Sequence, residues 1–528
     1  MSGTALLSAA AGPHVRRRAD HDLVVRNGTL FDGTGAEGRE LDVAISAGRI
    51  AEIGPRLSAR GREEIDARSL AVAPGFIDIH SHGDSNLTED PRAESVIRQG
   101  VTTIVVGADG SSRATGSTDA PFSAYFAGLD RLQPGPNVAS MVGLGSLRGE
   151  VVGEANRPAS PDEIRRMTEM VERALSDGAC GASSGLEYTP GAFASLDELI
   201  ALCRPLARRR LPYATHMRNE DDRLLEAVDE SLAVARGAGC PLEISHLKAQ
   251  GPRNFPKLDA VFSRIAGARA TGVDAAWDWY PYVAYSTGLT NLFPVWSRDG
   301  GTSAFLARLN DTSVAPRIKQ EALAKVELIG GWDNVQISSV RATEDRDAEG
   351  KRLGAHARAV GVDPYDDAVA LLRRSAGNVG MLGFAMSEET LERILAHPLT
   401  TICSDGGGFA VDGPTRRGSP HPRGAGTFPR VLGHYVRERA VISLAECIRK
   451  MTSMSAARVG LADRGRLATG FAADAVVFDP ARIADAATFD MPFQYPIGIS
   501  AVIVNGAVTL RDGHRSASGA GTALRASR

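Results

Sequence analysis

Two histidines one residue apart, His80 and His82, close the apolar run Phe76-Ile77-Asp78-Ile79. In an extended strand, positions i and i+2 face the same side, so both imidazoles can address one metal ion at about 2.0–2.1 Å. Alone, such a pair reads equally well as two surface histidines on a loop. Three further residues repeat its context. His216 follows Tyr213-Ala214-Thr215, His246 follows Leu242-Glu243-Ile244-Ser245, and Asp405 follows Thr401-Ile402-Cys403-Ser404 and leads into Gly406-Gly407-Gly408. Each ends a short strand-like run. Imidazole and carboxylate without thiolate suit zinc, with manganese, iron and cobalt as alternatives. At such a centre a carboxylate can take a proton from water while the ion polarises a carbonyl, and Asp405 is the candidate for that base. The glycines after it are no phosphate cradle, because no Lys-Ser or Lys-Thr follows them.

These residues need a scaffold that gathers strand ends. Apolar strand-like runs at 76–79, 102–106, 138–142, 242–244 and 401–403 alternate with helix-like segments at 161–176, 196–208, 221–237, 257–270, 364–375 and 388–396. Strand, helix, strand at this spacing predicts βα units with buried parallel strands. Residues 76–440 have the length of an α/β, TIM-like (β/α)8 barrel, whose chemistry gathers at the C-terminal ends of its strands. A break in the pattern, with Gly-rich turns and Phe293, Pro294, Trp296 and Trp332, predicts a lid-like insertion at about 288–345. Residues 21–75 and 441–528 read as short strands with Gly-containing turns, Asn27-Gly28 and Asn505-Gly506 among them. They are expected to join as two parts of one small β-sandwich.

Composition narrows the partners. A net charge of -3 with 23% charged and 43% hydrophobic residues describes a folded chain without a basic field, so no nucleic-acid partner is expected. No apolar run is long enough for a transmembrane span. In residues 1–20, the apolar stretch at 5–11 precedes Arg16, Arg17 and Arg18, the wrong order for a secretory signal, and a flexible extension is expected. Five scattered cysteines without a CxxC pair fit a reducing, cytoplasmic setting. Oligomeric state is left open.

Several longer motifs are more specific. They are Ala73-Pro74-Gly75-Phe76-Ile77-Asp78, Gly185-Leu186-Glu187-Tyr188-Thr189-Pro190-Gly191, Tyr213-Ala214-Thr215-His216-Met217-Arg218-Asn219-Glu220, Ile244-Ser245-His246-Leu247-Lys248 and Tyr280-Pro281-Tyr282. With Thr427-Phe428-Pro429-Arg430 and Arg449-Lys450-Met451-Thr452, they make the chain resemble the N-acyl-D-amino-acid deacylases (D-aminoacylases) of the amidohydrolase superfamily. The resemblance implies hydrolysis of N-acyl-D-amino acids at one or two zinc ions. It assigns His80, His82 and Asp405 to one metal position and His216 with His246 to the other. It makes Asp405 the catalytic acid/base, and Lys248, Tyr188, Tyr280 and Ser286 substrate contacts. Arg218 and Glu220 could pair behind the ligands.

Two departures from the family pattern stand out. Asp109, after Val105-Val106-Gly107-Ala108, occupies the place of the usual bridging cysteine, and Leu144 that of a histidine. A carboxylate is a harder ligand than thiolate, which leaves metal preference open. Another amide, in a dipeptide, an N-carbamoyl compound or a cyclic amide, is the alternative substrate.

Overall fold

Eight parallel strands form the centre of the computed structural model, which describes residues 19–516 and 519–526. They are Phe76–Asp78, Val101–Val106, Asn137–Ser140 continued by Val142–Gly143, Ala182–Gly185, Tyr213–His216, Leu242–Ile244, Ala275–Trp279 and Thr400–Ile402. Neighbours pair in parallel along this order. The ring closes where Asp405 N–H donates to His80 O and His82 N–H to Gly406 O, both at 2.9 Å. Val101–Val106 is buried along its whole length, as a strand covered on both faces must be, and its β-branched residues suit that place.

The outer helices carry their own start signals. Pro161–Ser176 begins behind Ser160 in a reciprocal capping box with Glu163, with Pro at the first turn. Leu196–Arg209, Leu224–Ala238, Leu258–Ala270 and Glu388–Ala396 lie close to the positions that the apolar spacing predicts. Their buried faces join the barrel core around Phe76, Trp277 and Phe428.

Both chain ends build one sheet of nine strands. Ala71–Pro74 pairs with His21–Leu30 on one side and with Ala475–Phe478 on the other. Leu23, Val43, Ile45, Val477 and Ile503 share a core there. Asn505-Gly506 is a hairpin turn, but Asn27-Gly28 is not. His21–Leu30 runs straight through it, with a register shift between Val25 and Gly28 that marks a bulge. Residues 519–526 leave the sheet and run under the barrel, where Val138 N–H donates to Thr522 O at 3.0 Å. The extension expected over residues 1–20 lies, up to residue 18, outside the described residues.

The insertion is longer than the expected 288–345. Strands Ala284–Gly288, Val335–Val340 and Val379–Phe384 form an antiparallel sheet, and four α-helices pack on it around a separate core with Phe293, Phe305 and Leu371. Helix Pro364–Arg374, expected in the barrel's outer ring, belongs to this core. Its periodicity gives an apolar face but not the layer that buries it. Among the described residues, no helix is long and apolar enough to cross a membrane, and all five cysteines are free and buried.

Candidate active site

Asp109 stands at the focus of the barrel mouth. Its strand ends at Val106, and the backbone then turns sharply through Gly107 and Gly110, with φ of 76° and 77°. A Cβ on Gly107 would meet Met141 O at 2.2 Å, and one on Gly110 would meet Gly185 N at 2.6 Å, so only glycine lets this turn lie against its neighbours. The turn carries Asp109 inward. Asp109 Oδ2 lies 3.3 Å from His80 Nε2, 3.5 Å from His82 Nε2 and 3.6 Å from His246 Nε2. Asp405 Oδ1 lies 3.5 Å from His80 Nε2 and 3.2 Å from His82 Nε2. His216 Nδ1 sits 3.0 Å from His246 Nε2.

Of three groups of candidate ligand atoms among the described residues, one, His80 with Asp278 and Cys403, is fully buried behind the mouth, and the other two adjoin at the mouth itself. His80, His82, Asp109 and Asp405 form one, and Asp109, His216 and His246 the other, with the atoms of each within 4.8 Å of one another. Asp109 belongs to both. His80 Nδ1 and Nε2, Asp109 Oδ1 and His216 Nε2 are buried without a hydrogen-bond partner, an arrangement that costs free energy unless a ligand satisfies it. The local charge points the same way. Burial pulls His82 and His246 down, yet Asp109, with Asp405 at His82 and Glu220 at His246, holds both up at about 9. A field strong enough to hold protons on these imidazoles, one buried and one at the cavity wall, attracts a cation as readily. The donor set thus fits a centre for divalent metal, with room for two ions that share Asp109.

The backbone is strained at three of these residues. Asp109, His246 and Asp405 have φ of 51°, 36° and 49°. Left-handed non-glycine residues are uncommon and cluster where surrounding structure forces them for function. Behind each buried imidazole stands a carboxylate: Asp278 Oδ1 is 3.3 Å from His80 Nδ1, Glu187 Oε2 is 3.5 Å from His216 Nε2, and Glu220 Oε1 is 3.1 Å from His246 Nδ1. Such partners fix ring orientation and raise the basicity of the nitrogen facing the metal. Of the three, only Glu220 was singled out from sequence. Asp278 had a usable signal, a charged residue inside a fully buried strand.

The mouth opens into a cavity of about 550 Å³. Lys248, Tyr188, Tyr280 and Ser286 all line it, and the insertion adds Tyr285, Asn291 and Lys325. Lys248 is not a free cation: Nζ donates to Glu220 Oε1 and Oε2 at 2.8 and 3.0 Å and lies 2.6 Å from His246 Nδ1. Its charge is balanced by Glu220, so it does not need a substrate anion for that purpose. Arg423, which sequence reasoning passed over, also lines the cavity, with Nη1 2.8 Å from Asp405 Oδ2. Its guanidinium and the Lys248 ammonium lie 4.7 and 5.7 Å from the Tyr280 ring centre. Burial pushes the Asp405 carboxyl up, but Arg423 and His80 outweigh it and keep the group ionised.

One expectation does not hold. Arg218 does not pair with Glu220. Its guanidinium binds Glu230 and the carbonyls of Ala192 and Ala194, because the turn after His216 sends the two side chains to different partners. Leu144 follows the strand end Val142–Gly143, is buried at the start of helix Leu144–Val151 and is not among the residues that line the cavity.

Comparison with known proteins agrees with this geometry. The model of the amidohydrolase family matches residues 63–510. The chain is 36% identical over 503 residues to the D-aminoacylase of Alcaligenes xylosoxydans xylosoxydans, covering 92% of this chain and 94% of that one. It is 38% identical over 501 residues to the N-acyl-D-glutamate deacylase of the same organism, covering 92% and 93%. The structure superposes, with a TM-score of 0.82 and 35% identity, on the N-acyl-D-glutamate deacylase of Bordetella bronchiseptica solved with zinc and a phosphonate mimic of the tetrahedral intermediate, covering 96% of this chain and 100% of that one. The chain is thus an amidohydrolase enzyme with a metal-binding centre, and it belongs to the D-aminoacylase and N-acyl-D-amino-acid deacylase family.

Proposed function

We propose that the protein hydrolyses the amide bond of N-acyl-D-amino acids, with water, to a carboxylate and a free D-amino acid. The observation that carries this reading is the meeting, in one cavity, of a metal-holding centre, an ionised Asp405 paired with the Arg423 guanidinium, and a buried Tyr280 hydroxyl without a partner. Zinc is the metal we assign, held by His80, His82, Asp109 and Asp405 at one position and by Asp109, His216 and His246 at the other. A divalent ion bound there supplies Lewis acidity for the amide carbonyl and for water.

Asp405 takes a proton from the attacking water and returns it to the leaving nitrogen. Its Oδ2 is held by Arg423, while Oδ1 faces His80 and His82 at the metal position. The Tyr280 hydroxyl and the Arg423 guanidinium receive the substrate's α-carboxylate beside the Tyr280 ring, with Tyr188 and Ser286 as further contacts. Lys248 adds its positive charge to that wall while it holds Glu220 and His246 in place. Among the described residues, no Ala, Val, Leu, Ile or Met lines the cavity, and its largest apolar surfaces are the rings of Tyr188, Tyr280 and Tyr285. That favours short acyl groups over long hydrocarbon ones, which would gain little from a polar wall.

D-stereochemistry is carried over from the relatives named above. The test is a turnover screen of the zinc-loaded protein on N-acetyl-D- and N-acetyl-L-amino acids, dipeptides, N-carbamoyl amino acids and hydantoins. Release of free D-amino acid from the N-acetyl-D series alone is the expected result. Preference for any other class overturns the assignment.

A further inference from the structure

Asp278 lies in the middle of the buried strand Ala275–Trp279 and is 2% exposed. No lysine or arginine pairs with it among the described residues. Asp78, Glu243 and Cys403, which share its surroundings, supply no positive charge, and a carboxylate buried this way is costly unless something polarised positively faces it. What faces Asp278 Oδ1 is the machinery of the mouth: His246 N–H donates to it at 2.6 Å, His80 Nδ1 lies 3.3 Å away and the Cys403 thiol donates at 3.0 Å.

We infer that Asp278 is a positioning residue that holds both metal-binding groups at once, a proposal that rests on the metal-centre reading above. Its reach distinguishes it from the other carboxylates behind the centre. Glu187 faces the ring of His216, and Glu220 the ring of His246, both in the group that Asp109 forms with those histidines. Asp278 spans the two groups. It fixes the ring of His80 in one so that Nε2 looks toward Asp109 and Asp405, and it fixes the main chain of His246 in the other.

The main-chain contact matters because His246 has φ of 36°. A left-handed histidine is strained and persists only where its surroundings demand it. A charge-assisted bond to the His246 amide is the kind of contact that can offset such a cost. Without it, residue 246 is free to relax toward ordinary strand geometry, which swings Nε2 away from Asp109. The Cys403 thiol completes the cradle as a donor to the same oxygen rather than as a ligand.

The test uses the full chain loaded with zinc and, separately, with cobalt(II). Metal per chain is measured after equilibration against a graded series of dipicolinate for wild type, Asp278→Ala, Asp278→Asn and Glu187→Gln. Asp278→Ala is expected to lower the chelator concentration that strips each ion at least tenfold, and to change the visible spectrum of the cobalt form. Asp278→Asn, whose amide oxygen still accepts from His246 but carries no charge toward His80, should fall between Ala and wild type. Glu187→Gln should loosen one ion only. Metal-free Asp278→Asn should melt close to metal-free wild type, which a merely structural role would not allow. If Asp278→Ala does not fold, Asp278→Asn decides. Wild-type chelator curves in the Asp278 variants, or loosening of one ion alone, overturn the inference and leave the metal-centre reading intact. A wild-type chain that retains no divalent metal overturns both.

Discussion

Glu243 and Asp109 are both carboxylates buried in the barrel, one within the strand Leu242–Ile244 and the other just past the strand Val101–Val106. Their treatment is opposite. Glu243, 1% exposed, has Oε2 2.7 Å from Arg458 Nε and Oε1 accepting from Thr401 Oγ1 at 3.1 Å. Lys450, also in the barrel's lower half, donates to the carbonyls of His397 and Thr400 at 2.5 and 3.2 Å. Asp109 keeps one oxygen without a hydrogen-bond partner, and His80 Nε2 and the Tyr280 hydroxyl around it also lack one. The ionisable groups of the lower interior are paired, although the Thr102 and Thr103 hydroxyls there are not, whereas ionisable groups of the mouth keep unused donors and acceptors that a bound ion can satisfy. A buried polar group with partners marks scaffold, and a cluster without them marks a site.

This contrast is sharpest for Asp405. Asp405→Asn removes the proton acceptor but keeps the size of the side chain. Turnover of an N-acetyl-D-amino acid is expected to fall on the order of a hundred- to ten-thousand-fold, with the fold intact and most metal retained. A variant with more than a tenth of wild-type kcat would reduce Asp405 to a structural ligand. Asp109→Asn should come next, with about a hundredfold loss and weaker metal binding, since it withdraws an oxygen from both groups at once. Asp109→Cys should retain or tighten zinc, because thiolate is the softer ligand. Unchanged metal affinity in Asp109→Asn would remove Asp109 from the ligand set.

Arg423→Met tests whether the guanidinium that pairs with Asp405 also receives substrate. The loss expected is roughly ten- to hundredfold in kcat/KM on an N-acetyl-D-amino acid, and much less on the matching N-acetyl amine, which has no carboxylate. Equal losses on both would mean that Arg423 acts only by holding Asp405.

The half of the site that came from strand ends was legible in the sequence, because period-2 geometry and the barrel rule together say where such a side chain emerges. His80, His82, His216, His246, Asp109 and Asp405 all read that way. The half that came from other layers was not. Arg423 starts a buried helix far along the chain, and Glu187 and Asp278 act through atoms of residues distant in sequence. The insertion was legible as a break in pattern but not in extent. Its helix Pro364–Arg374 has the cap and apolar face of an outer barrel helix, and nothing local tells which core receives that face. The Arg218 and Glu220 pairing failed for a similar reason: nearness in sequence gave them opportunity, but the turn decides their partners.

The smallest effect expected comes from the satisfied half, and it concerns stability rather than turnover. Burial pushes the Glu243 carboxyl up from an ordinary 4.5 to about 7, against the pull of Arg458 and with a push from Asp278. The folded state thus binds a proton more tightly than the unfolded state does. Below pH 4.5 both states hold it and the group is neutral in the balance. Between pH 4.5 and about 7 the unfolded chain releases it while the folded chain keeps it, so stability falls as pH rises through this window. Above it the loss is complete, about 3 kcal/mol from a shift of this size. Glu243→Gln cannot titrate and should lack that decline. Measured from pH 4.5 to 7.5, the stability of wild type relative to Glu243→Gln should therefore drop by up to about 3 kcal/mol. Activity per folded molecule should change little, because Glu243 lines no part of the cavity. A difference that stays constant with pH would mean that Arg458 holds Glu243 ionised throughout.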